Sequence, residues 1–296
     1  MSILDKIQTD GLILDGAMGS MLIAKGLTGT ESAEFWNLTR PETIKEIHQS
    51  YYLSGADVAS ANTFGASPLK LDKMGLGEHA ENINRAGVRL ARQVCPASGF
   101  VAGDMGSIPE MLQPSGPVSF EQAQDSFARQ AAWLDEEGVD FFLVETVFDL
   151  QVALAALKGI QSVSNKPVFC SLTFKEMKKG FFTIFGNSPE DSVKSLEDAG
   201  AAGVGANCSL GSGTMVELAR RIRAASALPV IIQPNAGMPR PGEDQTAFYP
   251  EDARFFAENI RQIRSQGVEI VGGCCGTTPD YIRTIKTYLS DPADSR

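Results

Sequence analysis

Two adjacent thiols near the end of the chain are the side chains best suited to chemistry. They lie in Val271-Gly272-Gly273-Cys274-Cys275-Gly276-Thr277-Thr278, after a short apolar run and before a helix signal. Adjacent cysteines cannot readily close a disulfide on each other without strain. As thiolates on a tight turn they can grip one soft metal ion. A third cysteine, Cys208, has a similar setting in Gly205-Ala206-Asn207-Cys208-Ser209. Three thiolates with a fourth position open are the donor set of a catalytic site rather than a closed structural one, and sulfur selects zinc over magnesium or calcium. The remaining cysteines read as packing: Cys95 precedes Pro96 at a helix end, and Cys170 lies inside an apolar run.

These thiols are useful only if the chain brings them together. The pattern is a repeated apolar run, polar or glycine-containing loop, and amphipathic helix. The runs are 12–14, 57–61, 100–102, 141–144, 167–174, 203–207, 229–233 and 269–272. The helices fall near 41–54, 77–94, 119–137, 149–161, from 188, 213–225, 250–266 and 279–289. Thr39 is the expected cap of the first, Ser119 with Gln122 a capping box for the third, and Ser188-Pro189 the start of the fifth. The span between the first run and the first helix reads as a long loop. Unbroken apolar runs suit parallel strands buried on both faces.

Eight strand–helix pairs over residues 1–296, without a linker, point to a single-domain (β/α)8 TIM barrel. The competing open doubly wound sheet wants a G-x-G-x-x-G turn, and Gly16-Ala17-Met18-Gly19 lacks that spacing. In a barrel, the residues just after each strand face one cavity. They are Asp15, Asn62 and Thr63, Asp104, Glu145, Lys175, Asn207 and Cys208, Asn235, and Cys274 with Cys275. Strands six and eight flank strand seven, so Cys208 can meet the vicinal pair across Asn235. The two histidines, His48 and His79, fall on the helical ring and read as solvated or capping residues.

Composition narrows the partners. Net charge is −10, with 43% hydrophobic and 21% charged residues. This acidic globular balance argues against nucleic acid and anionic membrane, which need a basic face. Five sparse cysteines are no disulfide framework and suit a reducing compartment. Without an apolar signal segment or an 18-residue apolar window, the expected location is the cytoplasm.

At these motifs the chain resembles the homocysteine S-methyltransferase family, and within it the homocysteine-binding barrel of cobalamin-dependent methionine synthases. The resemblance rests on Leu14-Asp15-Gly16-Ala17-Met18-Gly19, Trp36-Asn37-Leu38-Thr39-Arg40-Pro41, Asn62-Thr63-Phe64-Gly65-Ala66, Glu145-Thr146, Asn207-Cys208-Ser209-Leu210-Gly211, Pro234-Asn235-Ala236-Gly237 and Gly272–Thr278, in order along nearly the whole chain. It implies that Cys208, Cys274 and Cys275 bind zinc and that the thiol of homocysteine takes the fourth position. Asn235 would hold that position without substrate. Asp15 and Glu145 would hold the ammonium group. Backbone near Asn62, Thr63 and Ser209 would hold the carboxylate, with Asn207 beside them.

The implied methyl donor is methylcobalamin carried by a separate corrinoid protein or module. S-methylmethionine, betaine or a corrinoid demethylation pathway are the alternatives. Two stretches depart from the methionine synthase pattern: Ser60 replaces a usual acidic residue, and Gly103-Asp104-Met105-Gly106-Ser107-Ile108 replaces a Gly-Pro-Thr-Gly type of turn. Both bear on which thiol and donor are used. Two other readings compete. A Schiff-base barrel would need Lys175, which Glu176, Lys178 and Lys179 place on an exposed loop. A zinc-holding subunit would only present a thiol to a partner.

Overall fold

The fold was analysed in a computed structural model that describes residues 2–29, 31–241 and 247–290. The eight apolar runs become eight strands: β1 Leu12–Ile13, β2 Val58–Ser60, β3 Phe100–Met105, β4 Phe141–Val147, β5 Val168–Leu172, β6 Gly203–Gly211, β7 Val230–Asn235 and β8 Ile270–Val271. All are parallel and joined in the order β1-β8-β7-β6-β5-β4-β3-β2. A parallel bridge between Leu14 and Val58 joins the two ends, so the sheet closes into a (β/α)8 barrel. The open-sheet alternative is thereby excluded.

Alternate residues of the strands fill the barrel interior. Leu12, Leu14, Val58, Phe100, Phe141 and Phe169 belong to one buried cluster, with Phe141 and Phe169 edge to face at 5.2 Å. Ile3 and Ile7 of an N-terminal helix, Ile3–Thr9, join the same cluster. The other strand faces pack on the outer ring of α1 Pro41–Leu53, α2 Ala80–Val94, α3 Phe120–Glu136, α4 Leu150–Gln161, α5 Pro189–Asp198, α6 Ser212–Ala225, α7 Ala253–Ser265 and α8 Pro279–Ser290. The Ser119–Gln122 capping box forms in both directions, and Ser188 accepts from the Asp191 N–H at 3.1 Å. Among the described residues, no helix is long and apolar enough to cross a membrane.

Several local expectations change. The span read as a loop after β1 contains helices Met18–Ala24 and Trp36–Thr39. Thr39 ends the second of these, and Arg40 takes the α1 cap position without a side-chain bond. Helices this short carry too few turns for apolar periodicity to register. The stretch 77–94 divides into a 3₁₀ turn, Gly77–His79, and α2. Lys175 is exposed on a hairpin, Lys175–Met177 with Gly180–Phe182, where the flanking charges predict an exposed loop.

His48 is the clearest correction. It is fully buried, and neither ring nitrogen has a hydrogen-bond partner. It shares the inner face of α1 with Ile44, Ile47 and Tyr51. His79, by contrast, is exposed and lies 5.6 Å from the Phe35 ring. Burial pushes His48 down to about 4 from its ordinary 6.5. A base with a depressed folded pKa contributes stability fully above 6.5 and loses it as pH falls toward 4. His48→Leu will therefore flatten the acid side of the stability curve by about 3 kcal/mol across that window. Urea midpoints of both proteins at pH 4 and pH 7 check this: parallel curves would contradict it.

Candidate metal centre and substrate cavity

The fold brings the three chemistry-bearing thiols together at the C-terminal ends of β6 and β8. The Cys208 Sγ lies 3.9 Å from that of Cys275, and Cys274 Sγ lies 4.0 Å from it. All three sulfurs fall within 4.8 Å of one another. A tetrahedral site with metal–sulfur bonds of about 2.3 Å needs sulfur–sulfur edges of about 3.8 Å. The spacing thus fits one metal ion with little adjustment. Without an ion, hydrogen bonds from Cys274 and Cys275 hold the Cys208 thiol down at about 3. Hydrogen bonding to that thiolate keeps Cys274 well above the ordinary thiol range and Cys275 up at about 11.

Backbone contacts fix the vicinal pair. The Cys274 N–H donates to the Pro234 carbonyl at 2.8 Å, and the Cys275 carbonyl accepts from Ala236 N–H at 2.9 Å. Thr277 Oγ1 donates to the Cys274 carbonyl at 2.7 Å and closes the turn. A Cβ at Gly273 would lie 2.4 Å from that same hydroxyl, so only glycine fits there. Tyr51 of α1 donates to the Ala17 carbonyl at 3.0 Å, tying the β1 loop and helical ring beside this turn.

Strand β6 reaches the site differently. It runs past the residues where the apolar pattern ends and bulges between Asn207 and Gly211, as β4 does between Val144 and Val147. Thr146, Cys208 and Ser209 adopt positive φ of 55°, 60° and 56°. Such backbone costs about 1–3 kcal/mol per residue and is retained where it aims a side chain. Here it leaves Asn207 inside and Cys208 at the mouth.

Asn207 is the hub of the two bulges. Its Oδ1 accepts from Thr146 N–H and Ser171 Oγ, both at 2.9 Å. Its Nδ2 donates to Thr146 Oγ1 at 2.6 Å, Glu145 Oε2 at 3.3 Å and Cys274 Sγ at 3.8 Å. Asn207→Ala will lower metal affinity by about 10–100-fold while the barrel still folds. Competition titration against a chelator measures this, and unchanged affinity would remove Asn207 from the site.

The sulfurs form one wall of a cavity of about 280 Å³. Asp15, Glu34, Asp104 and Glu145 also line it, and no Lys, Arg or His does among the described residues. Asp15 accepts from the Ser60 N–H at 2.8 Å and Ser60 Oγ at 3.0 Å, so the departure at Ser60 orients a carboxylate. Burial nevertheless pushes Asp15 up to about 7. Burial, with Asp15 and Cys208 nearby, pushes Glu145 up to about 8. Burial and then Glu145, Asp15 and Glu34 raise Asp104 well above the carboxylate range. Carboxyl groups held so high await a cation. Asp104 Oδ1, Gln233 Oε1 and Asn235 Oδ1 are buried acceptors without partners, which again suits a ligand rich in N–H donors.

The other expected substrate contacts are placed around this cavity in different ways. Asn62 lines it, with its Nδ2 donating to Ala33 O and Asn37 Oδ1, both at 2.9 Å. Thr63 is buried behind it and donates to the Asp104 carbonyl at 2.7 Å. Asn235 ends β7 within hydrogen-bonding reach of Cys208. Ser209 offers its N–H to Cys208 and does not line the cavity. Glu34 and Gln233 were missed. Glu34 is held by Gly65 N–H at 2.7 Å and belongs to no strand, whereas Gln233, just before the Pro234-Asn235 signal, was recognisable as a strand-end residue.

Comparison with known proteins decides the family. The model of the homocysteine S-methyltransferase family matches residues 12–289. The chain belongs to the homocysteine S-methyltransferase family. That family is named for methyl transfer to homocysteine sulfur. It is 31% identical to a methionine synthase of Mycobacterium tuberculosis, with 98% of this chain and 25% of that protein aligned. A methionine synthase of Mycobacterium leprae gives 30% identity over 94% of this chain and 24% of its own length. The chain therefore spans about a quarter of the length of these curated relatives. The fold is also that of the homocysteine methyltransferase MmuM from Escherichia coli in its metallated form: TM-score 0.78, 21% identity, 96% of this chain and 98% of that one. For a homocysteine S-methyltransferase fold, then, the three thiols and the acidic cavity occupy the catalytic end of the barrel.

Proposed function

We propose that the chain is a zinc-dependent methyltransferase that converts homocysteine to methionine. One observation carries this: three thiols at metal-binding spacing share a small cavity with four carboxyl groups and, among the described residues, no cationic side chain. A thiol bearing an ammonium group answers both walls. The cavity volume lies at the lower end of ligand pockets, about 300–1,000 Å³, which suits an amino acid and excludes a corrinoid. The reading takes residues 1–296 as one barrel domain.

Cys208, Cys274 and Cys275 would hold the zinc, which supplies a deprotonated substrate thiolate at neutral pH, where a free thiol near 8.5 is mostly protonated. The chain's own groups do the rest. Asp15, oriented by Ser60, and Glu145, held by Asn207 and Gln233, pair with the ammonium. Asp104 and Gln233 offer unpaired acceptors to the same group. Backbone near Asn62 would face the carboxylate, whereas Thr63 and Ser209, expected beside it, lie outside the cavity lining. Asn235, with its unpaired Oδ1, would hold the fourth position when substrate is absent. The reaction forms one sulfur–carbon bond and breaks the donor–methyl bond, while the thiol proton leaves to solvent.

The donor in this reading is methylcobalamin, presented at the cavity mouth by a separate corrinoid protein or module. The similarity to methionine synthases supports it. The test is methionine formation from homocysteine by zinc-loaded protein, with methylcobalamin, S-methylmethionine and betaine as parallel donors. Turnover with methylcobalamin is expected. Zinc and homocysteine bound, but no methionine from any donor, would leave only a thiol-presenting subunit.

A further inference from the structure

The three thiols come from two segments far apart in sequence, and β7 lies between them. The vicinal pair is tied to the end of β7 by the bonds from Cys274 N–H to Pro234 and from Ala236 N–H to Cys275. Cys208 is held less directly. Strand β6 pairs with β7 at Asn207 and Gln233, and next at Gly211 and Asn235, so three residues of β6 oppose one of β7. Cys208 and Ser209, both at positive φ, lie in that excess. Strained backbone persists only where its flanks are fixed. Side-chain bonds hold the Asn207 flank. The Gly211 flank is held by Glu251, on the connection between β7 and α7.

Glu251 Oε2 accepts from Ser212 N–H at 3.0 Å and from Ser212 Oγ at 2.6 Å. Ser212 opens α6, and Gly211 in the cap position has no side chain to offer. A Cβ at Gly211 would lie 2.3 Å from Glu251 Oε1, so the carboxylate fills the space a local cap would need. An anion there also meets the positive end of the helix dipole. Asn259 Nδ2 of α7 donates to Ser212 Oγ at 2.9 Å and keeps that hydroxyl aimed at the carboxylate. The backbone of Glu251 reaches the other thiols. Its N–H donates to the Ala236 carbonyl at 3.0 Å, and Ala236 N–H is the donor to Cys275. Tyr281 of α8 donates to the Glu251 carbonyl. Glu251 does not line the cavity, so it acts on the thiols only through these backbone links. We propose that Glu251 is a positioning residue for the metal centre: by capping α6 from the β7–α7 connection, it holds Cys208 at binding distance from Cys274 and Cys275. The proposal rests on the metal–thiolate reading above.

The next residue supplies the control. Asp252 caps α7, accepting from Arg254 N–H at 3.0 Å and Phe255 N–H at 2.9 Å, and α7 carries no sulfur. Asp252→Ala therefore removes a helix cap from the same connection without touching the Cys208 flank. The test measures zinc affinity of the full chain by competition with a chromophoric chelator, beside thermal unfolding of the metal-free protein. Glu251→Ala is expected to weaken zinc binding about tenfold, at the low end for groups that orient metal ligands. Asp252→Ala should lower the unfolding temperature comparably and leave zinc affinity at the wild-type value. Glu251→Gln keeps a neutral acceptor of about half the strength and should lose about threefold. Equal zinc affinity in Glu251→Ala and Asp252→Ala overturns the inference, because Glu251 is then only a cap. If Glu251→Ala does not fold, Glu251→Gln decides: a loss beyond that of Asp252→Ala supports the inference, and wild-type affinity overturns it. A wild type that takes up no zinc overturns the proposed function itself, and the inference with it.

Discussion

Cys274→Ala will lose the metal and at least about a thousandfold of methyl-transfer rate. Removing one of three protein sulfurs leaves two donors, too few to hold an ion whose fourth position belongs to substrate. Losing the charge stabilisation and thiol activation of a metal costs several kcal/mol, and each 1.36 kcal/mol is tenfold in rate. Cys208→Ala and Cys275→Ala should behave alike, because all three sulfurs share one cluster. Metal analysis of the purified variants, beside methionine formation, checks the pair of effects. A companion result follows from protonation. The ligand-free cluster holds one thiolate, on Cys208, and two thiols. Zinc uptake in unbuffered solution near neutral pH will therefore release about two protons. Retention of zinc by all three variants would sink the assignment.

Asp15→Asn will raise the KM for homocysteine about a hundredfold at pH 8 while leaving zinc bound. Truncating one partner of a buried charge pair costs about 2–5 kcal/mol, and 1.4 kcal/mol is tenfold in binding. The pH dependence gives the effect its sign. Burial lifts Asp15 to about 7 against the two hydrogen bonds from Ser60. Below that pH its carboxyl is neutral and attracts no ammonium. Wild-type KM should therefore fall as pH rises from 6 to 8, and Asp15→Asn should lose that component. Stability moves the other way. A carboxyl whose folded pKa is raised loses stability as pH climbs from its ordinary value toward 7. Asp15→Asn should accordingly be more stable than wild type at pH 8. A variant with unaltered KM at both pH values would show that the ammonium is held elsewhere.

Much of this site was legible because a barrel converts sequence position into spatial position. Asp15, Glu145, Cys208, Asn235 and Cys274 each follow an apolar run, and every such residue reaches one end of the barrel. The argument worked less well for residues whose role depends on a partner far along the chain. Asn207 looked like one more polar strand-end residue, yet it links Ser171, Thr146, Glu145 and Cys274. Ser60 looked like a departure from the family pattern, yet it orients Asp15. Glu34 enters the cavity from outside the strand system. His48 looked polar and peripheral, and burial made it neither solvated nor a cap.

Periodicity, strand-end chemistry and the vicinal thiols by themselves determined the eight-unit barrel and which three thiols cluster at its end, because these depend on local pattern and strand order. Tertiary structure alone decided how those residues work. The positive φ at Thr146, Cys208 and Ser209, the sulfur–sulfur spacing, and the raised carboxyls of Asp15, Asp104 and Glu145 arise only on packing. Strain is tolerated only where neighbours enforce it, and a carboxyl's pKa rises only where the closed barrel excludes water.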